Sequence, residues 1–566
     1  MKFRKIPGAL ALLGVLAAAP GCKDFYDVNV NPLLPIRAEL LSLLPVTQVS
    51  MAAALGNSPS GMSQYTMALM QQLANGRGIG TFQQDGDAFS NEWSSLYSSV
   101  LVNNEQIITQ GTAEQSWTYV GIAQLQRAFV FSQMVDLWGS LPYTEALKGT
   151  AGLTTPRFDI DETIYNGGPG IQGLFALIDE GVANLARPAT VPGLAKADLI
   201  YGGDKEKWVR FGLSLKLKLY NQIRKTRNVA GEVAPLLALA ATNGLIRNGE
   251  DFELPYGKSI TPDNRNLGFI ADYGSSGREN RINPNFFLSM RGGRYTPAPG
   301  DTIRSISDPR IPYYFYNQVT GYPQVAGSVA GQDFSFGNFV SVRFGSVSTA
   351  SNAAAGNLIT LPGLYPIGGR YDDGRGGIAG VVGGAAGTVP GKGLVAQRLH
   401  TYFSRKYTEA ELQLTVLQNN AAATAALGEA IDASFGKVDK IATDDGSPTM
   451  DPARVASYKA AALAAFNAPG VTLDDKLEVL MYEKYVASFG YGVDMYTDFR
   501  RTYHPRIKVP GNADPARGIL DDNDPITQSL GAFPRRMSYP ISDLLVNPNG
   551  PQTQPNLVRD RIFWDK

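Results

Sequence analysis

A long apolar helix that ends in a sharp turn limits the folds open to this chain more than any other stretch. The segment Ser132–Lys148 reads SQMVDLWGSLPYTEALK, and the helix that leads into it is predicted to begin at Thr112. Thr112 and Gln115 have the spacing of a capping box, in which side chains and backbone N–H groups satisfy each other. Large apolar residues then recur at helical spacing up to Trp138, and Gly139 suits a helix end that needs positive φ. This pattern predicts a helix packed into a core rather than a catalytic element.

Helical periodicity recurs on both sides of this element and fades in the middle of the chain. Further helices are predicted within Glu39–Leu55, Gly61–Ala74, Ala88–Ile108, Thr154–Leu185, Asp198–Arg227, Thr408–Leu427, Val455–Phe466 and Leu473–Phe489. From about Gly244 to Arg398, Gly, Ser, Asn and Pro dominate and short aromatic runs stand out. Loops of such length are uncommon and usually functional or mobile. The sequence therefore predicts a mainly α fold, a helical scaffold that carries a large loop-rich, irregular subdomain.

The N-terminus has the pattern of a bacterial lipoprotein signal. Basic residues precede an apolar run that is too short to span a bilayer, and the run ends in Ala19-Pro20-Gly21-Cys22. The alternative is an ordinary secretory signal with an incidental cysteine. Cys22 is, however, the only cysteine of the chain, and it lies where cleavage and acylation require one. We predict removal of residues 1–21 and lipidation of Cys22, so that acyl chains anchor the mature protein to a membrane outside the cytoplasm.

The composition excludes several kinds of chemistry. Two His and one Cys in 566 residues exclude zinc sites built from His or Cys ligands. The 51 basic residues are balanced by 51 acidic ones, so no basic face for nucleic acid is indicated. The sequence contains no GxxxxGK[ST], HExxH or GxSxG motif. We predict a protein without a cofactor, a metal site or catalytic residues.

Three pairs of neighbouring aspartates raise the alternative of a secreted glycoside hydrolase. The pairs are Asp372/Asp373, Asp444/Asp445 and Asp521/Asp522. Hydrolysis by paired carboxylates needs two acids about 5–5.5 or 6.5–9.5 Å apart that face one sugar. Adjacent residues rarely face one sugar in this way, so the pairs are interpreted as solvated loop carboxylates. A purely structural repeat scaffold is a third alternative, but the sequence shows no sustained period.

Seven motifs in a fixed order carry a resemblance to a known family. They are DLWGSLPYTEAL (136–147), PRFDIDETIY (156–165), DLIYGGDKEKW (198–208), DPRIPYYF (308–315), KYVASFGYGVDMYTDFRRT (484–502), FPRRMSYPISDLLVN (533–547) and FWD (563–565). With Cys22 ahead of them, the chain resembles the SusD/RagB family of outer-membrane lipoproteins of Gram-negative Bacteroidota, in its SusD-like branch. The resemblance covers nearly the whole mature chain.

The resemblance implies an architecture, a location and a partner. It implies a tetratricopeptide-like scaffold formed by residues 22–243 and 399–566 as one compact fold, with residues 244–398 facing the ligand. It implies a lipid-anchored protein of the cell outer membrane that faces the exterior. There it would bind an oligosaccharide nutrient and act as the lid of a SusC-like TonB-dependent barrel. A peptide ligand in place of the glycan is the alternative.

Four tyrosines supply the candidate ligand site, and two arginine pairs of the motifs are expected to stabilise the fold. Tyr313, Tyr314, Tyr316 and Tyr365 are candidate ligand contacts, since neutral sugars stack on aromatic rings. The alternative is packing against the scaffold, which the resemblance of DPRIPYYF to a family-wide motif favours. At least one Arg of each pair, Arg500-Arg501 and Arg535-Arg536, is expected to make buried bonds to carboxylates or carbonyls.

Overall fold

Helices make up most of the structure, and the predicted fold class, a mainly α chain on a tetratricopeptide-like scaffold, is confirmed. The computed structural model describes residues 38–59, 61–74, 82, 84–189, 193–274, 278–292, 306–321, 334–342, 344, 356–380, 391–506 and 533–566. The predictions for residues 1–21, Cys22 and Asp521/Asp522 lie outside these residues. Residues Leu40–Lys566 form one compact unit. The boundaries after residues 243 and 398 stay predictions.

The first part of the chain is a series of packed helices. In chain order they are α1 (Leu40–Leu55), α2 (Met62–Leu69), α3 (Ser90–Ser95), α4 (Val102–Ala113), α5 (Trp117–Trp138), α6 (Asp161–Asn166), α7 (Leu174–Ala186), α8 (Leu194–Ala197), α9 (Lys205–Ile223) and α10 (Ala230–Ala241). A π-helical turn, Leu96–Leu101, joins α3 to α4. Strands β1 (Leu141–Pro142) and β2 (Phe158–Asp159) pair antiparallel behind α5.

The middle of the chain consists of short pieces, as the loss of periodicity predicts. Its strands are β3 (Phe252–Leu254), β4 (Phe315–Tyr316), β5 (Phe334–Phe336), β6 (Phe339–Ser341), β7 (Leu361–Pro362) and β8 (Gln397–His400). Its helices are α11 (Leu267–Tyr273), α12 (Pro284–Arg291), α13 (Ile311–Tyr314) and α14 (Leu364–Ile367). β4 pairs with β7 and β5 pairs with β6, all antiparallel.

Long helices return after β8. They are α15 (Tyr402–Thr415), α16 (Asn420–Asp445), α17 (Pro452–Phe466), α18 (Leu473–Ala487), α19 (Gly492–Thr502) and the short α20 (Ile541–Val546). One helix predicted across residues 408–427 is therefore wrong, because the chain turns at residues 416–419 and Asn419 caps α16 through its side chain. Asp444 and Asp445 end α16 rather than lying in a loop.

The predicted core helix, α5, is buried on every side rather than along one stripe. Every residue of α5 except Trp117 and Arg127 is buried. Two glycines let α7 approach closely, since a Cβ at Gly121 would lie 2.7 Å from the Gly181 carbonyl oxygen. At the C-terminal end, Gly139 takes φ +83°, as predicted from the sequence.

The start of α5 differs from the prediction. Thr112 lies in the last turn of α4, and α5 begins at Trp117 without a side-chain cap. The capping box at Thr112 and Gln115 is therefore wrong. Near the end of α4, Gly111 lies so close to α5 that a Cβ there would come within 2.8 Å of Val120 Cγ2.

The two ends of the loop-rich middle region are joined at its base. β3 pairs antiparallel with β8, although more than a hundred residues separate them in the sequence. Lys437 of α16 reinforces the junction by donating to Asp251 at 2.7 Å and to Glu253 at 2.7 Å. The pairing therefore brings the two ends of the irregular region together.

A buried hydrogen bond to Asp136 of α5 holds the C-terminal segment in place. Trp564 is fully buried, and its Nε1 donates to Asp136 Oδ1 at 2.9 Å. Tyr165 donates to the same oxygen at 2.6 Å, while burial raises the pKa of Asp136 to about 6. Arg500 donates to the Asp136 carbonyl oxygen at 2.5 Å.

The expectation for the two arginine pairs is confirmed. Arg501 binds the Glu411 carboxylate, with one contact at 3.0 Å, and Arg535 Nε donates to Asp565 Oδ2 at 2.8 Å. Arg536 donates to the Trp138 carbonyl oxygen at the end of α5. Arg501 therefore joins α19 to α15, whereas Arg536 binds the end of α5.

Candidate ligand-binding surface

The four tyrosines proposed from the sequence all lie inside the protein. Tyr313 is 2 % exposed, and Tyr314, Tyr316 and Tyr365 are fully buried. Each hydroxyl donates to a backbone carbonyl oxygen, those of Pro448 (2.7 Å), Val486 (3.1 Å), Gly377 (2.5 Å) and Ala487 (2.9 Å), respectively. Their placement corresponds to the scaffold-packing alternative. Direct contact of these four tyrosines with a ligand stays a prediction. Their burial does not support it.

These buried rings support a loop that reaches the surface. We call residues 370–377 the Tyr371 loop. It follows α14, where Gly368 takes φ +74°. The backbone N–H of Asp372 donates to the Pro312 carbonyl oxygen at 2.8 Å, and the N–H of Gly377 donates to that of Gln318 at 2.9 Å. The loop is therefore pinned at both ends to the segment that contains the DPRIPYYF motif.

A chain of side-chain hydrogen bonds holds the centre of the Tyr371 loop. Asn317 Nδ2 donates to Asp372 Oδ2 at 2.6 Å, and Thr360 Oγ1 donates to Asn317 Oδ1 at 2.7 Å. The Gly374 N–H donates to the other Asp372 oxygen at 2.9 Å. Burial raises the pKa of Asp372, and the donors from Gly374 and Asn317 oppose that rise. Asp372 is thus half-buried and bonded within the loop, which corrects its interpretation as a solvated carboxylate.

The Tyr371 loop presents an aromatic ring among polar groups. Tyr371 is half-buried, and its ring packs against Tyr313 with 5.0 Å between centroids. The Arg370 guanidinium lies over the Tyr316 ring, 4.5 Å from its centroid. The side chains of Asp373 and Arg375 are 46 % and 88 % exposed. A tyrosine ring that packs on Tyr313 and has carboxylate and guanidinium side chains next to it in the loop suits a neutral polyhydroxylated ligand.

Two small cavities bordered by described residues lie apart from the Tyr371 loop. Their volumes are about 30 Å³ and 10 Å³. The larger is bordered by Leu364, Lys392 and Asp445, and the smaller by Lys484 and His504. No residue of the Tyr371 loop lines either cavity.

The sequence did not single out Tyr371 or Asn317. Asn317 and Asp372 are 55 residues apart, so their contact depends on the pairing of β4 with β7. The only local signal is a tyrosine inside a charged, glycine-rich loop directly after a buried turn.

The fold is thus a helical scaffold. Helix pairs surround a buried central helix, and an irregular region carries a surface of aromatic and polar groups. A family model described as SusD-like, "starch-binding associating with outer membrane", matches residues 34–540. The chain belongs to this SusD-like family. No curated protein matches its sequence.

Solved structures agree with this fold. A SusD/RagB family protein from Bacteroides thetaiotaomicron superposes with a TM-score of 0.64 at 18% identity, over 93% of this chain and 99% of that one. A SusD homologue from Bacteroides fragilis gives 0.64 at 18%, over 94% and 100%. A chitin-binding SusD homologue from Flavobacterium johnsoniae gives 0.59 at 18%, over 93% and 97%. At this identity the likeness shows the fold.

Proposed function

We propose that the protein is a nutrient-binding lipoprotein of the outer-membrane surface. Acylated Cys22 anchors it, residues 244–398 hold the ligand-binding surface, and a neutral oligosaccharide is the ligand. The protein hands this ligand, chemically unchanged, to a SusC-like TonB-dependent barrel on which it acts as a lid. Membership of a family described as starch-binding and outer-membrane-associated supports the proposal. None of the described helices is long and apolar enough to cross a membrane.

The Tyr371 loop is the observation that carries the proposal. The Tyr371 ring is half-buried and packs against Tyr313. This contact restricts the ring, so little conformational freedom is lost when a sugar stacks on it. Asp373 and Arg375 bring one charge of each sign, which favours a neutral ligand with many hydroxyl groups over an ionic one. Binding of this kind needs shape and a few polar groups rather than shifted pKa values.

The aspartate pairs that suggested a hydrolase have structural partners where they are described. Both oxygens of Asp372 accept hydrogen bonds within the loop. Asp444 contacts Lys440 at 2.8 Å, and Asp445 contacts Lys392 at 3.1 Å. These contacts support the binding proposal over hydrolysis by the described pairs.

Calorimetric titration with maltoheptaose and chitohexaose tests ligand class and site together. The family description and a chitin-binding neighbour motivate these two probes. We expect Tyr371→Ala to weaken binding of whichever probe binds by about tenfold, because loss of one stacking ring costs about 1–2 kcal/mol. Tyr402→Ala is the matched control, since Tyr402 is a half-buried tyrosine at the start of α15.

Three results would contradict the proposal. Equal binding by wild type and Tyr371→Ala would remove the Tyr371 loop from the site. Binding of peptides but of no glycan would replace the ligand class. Continuous release of reducing ends from a bound glycan would show an enzyme.

A further inference from the structure

Helix α1 has an unusual outer face for a surface helix. Its sequence, LLSLLPVTQVSMAAAL, contains no charged residue. Leu44, Met51 and Leu55 are fully buried on its inner side. On the opposite side Leu41, Val46 and Val49 are 45 %, 46 % and 47 % exposed. A surface helix normally places charged and polar residues on its solvent side, so an aliphatic outer side indicates that something covers it.

The exposed patch is held rigidly and extends beyond α1. Gln48 accepts the Leu199 N–H at 2.7 Å and donates to Asp198 at 2.8 Å, which fixes Leu199, 37 % exposed, alongside the helix. Asp198 in turn accepts from Trp208 Nε1 at 2.7 Å. We call Leu41, Pro45, Val46, Val49 and Leu199 the α1 patch. A preorganised aliphatic surface binds a partner without the cost of ordering it.

The position of the α1 patch in the chain points to a partner in the membrane. Seventeen residues separate Cys22 from Leu40, the first residue of α1. Fully extended, a segment of that length spans about 60 Å. If Cys22 is acylated, as the proposed function holds, the α1 patch stays within that distance of the bilayer.

The chemistry of the patch favours protein over lipid. A helix that lies in a membrane surface carries Lys or Arg on its polar face and often Trp or Phe on the other. α1 has none of these residues. The cores of protein interfaces are depleted in charge and packed with apolar side chains, as the patch is. We infer that the α1 patch is the surface that docks on the membrane-embedded barrel partner, an inference that rests on the proposed function.

Co-purification from the native host tests this inference. Lipidated wild type, Val46→Asp and Val49→Asp are extracted in mild detergent, and the co-purified outer-membrane barrel is quantified by mass spectrometry. Each variant is expected to retain the wild-type melting temperature and membrane attachment. The amount of barrel that co-purifies with each variant should fall by about tenfold or more, because an unpaired carboxylate would be buried at the interface. The matched control is Leu473→Asp, which changes a leucine 53 % exposed at the start of α18 and should keep the barrel.

The possible results separate this inference from the proposed function. If wild type brings down no barrel, the proposed partnership itself fails. If wild type and both variants bring down equal amounts, only the assignment of the α1 patch fails. Flotation of the Cys22→Ala chain with phosphatidylethanolamine and phosphatidylglycerol vesicles, abolished by Val46→Asp, would assign the patch to lipid instead. A dimer that Val46→Asp converts to monomer in analytical ultracentrifugation would assign it to a second copy. Either result overturns the inference.

Discussion

At the scale of single residues, buried ion pairs do structural work that sequence motifs alone do not reveal. The side chain of Arg535 is 9 % exposed, and that of its partner Asp565, the penultimate described residue, is fully buried. Arg535 also donates to the Arg500 carbonyl oxygen at 2.8 Å. One side chain therefore joins α19, the FPRRMSYP segment and the C-terminus.

Arg535→Ala is expected to lower stability without changing ligand affinity. The substitution leaves the Asp565 carboxylate buried without its main partner, which costs about 3–5 kcal/mol. Arg561→Ala is the control, because Arg561 is 45 % exposed and lies 3.9 Å from the same carboxylate. Its loss should cost about 1 kcal/mol or less. Urea unfolding measures stability, and calorimetry measures glycan affinity. An unchanged unfolding midpoint together with lost glycan binding would contradict the structural role of Arg535.

At the scale of elements, the turn after α5 needs a glycine for two reasons, its backbone angles and a close tertiary contact. Gly139 has φ +83° and ψ −129°, a conformation that residues with a Cβ avoid. A Cβ at this position would also come within 3.0 Å of the Arg536 guanidinium. Glycine is needed here both for the backbone and for the close approach of the arginine that caps the helix end.

Gly139→Ala should therefore destabilise the protein by about 2 kcal/mol or more. Gly152→Ala is the comparison, since Gly152 has φ +85° but nothing lies within 4 Å of its would-be Cβ. That variant should lose only about 1 kcal/mol. Thermal unfolding of both proteins measures the difference. Equal losses would mean that neither the ψ of −129° nor the contact with Arg536 adds a cost at Gly139.

Other element-level features show how far the sequence reaches. The helical scaffold, the irregular middle and the glycine at the end of α5 follow from periodicity and local backbone rules. The start of α5 does not, because α4 continues to Ala113, past the plausible cap at Thr112. The Tyr371 loop does not either, since the bond from Asn317 to Asp372 joins residues 55 positions apart. A contact across that distance leaves no local pattern in the sequence.

At the scale of the whole molecule, the proposed location rests on one side chain. Cys22→Ala removes the thiol that is proposed to be acylated. The 17 residues before α1 then no longer connect the protein to a lipid anchor. We expect the variant in the soluble fraction, whereas wild type sediments with outer membranes. The test uses a strain that lacks the barrel, so that docking does not retain the protein. Continued sedimentation of the variant in that strain would refute lipidation.

The burial of Trp564 beneath α5 also has a consequence for the order in which the fold can form. Trp564 bonds to a residue 428 positions earlier, so this contact closes a very long stretch of chain, and its entropic cost disfavours forming it early. Until it forms, Asp136 and Arg500 lack the ring that covers one side of them. The core around α5 is therefore complete only once segments from opposite ends of the described chain have met.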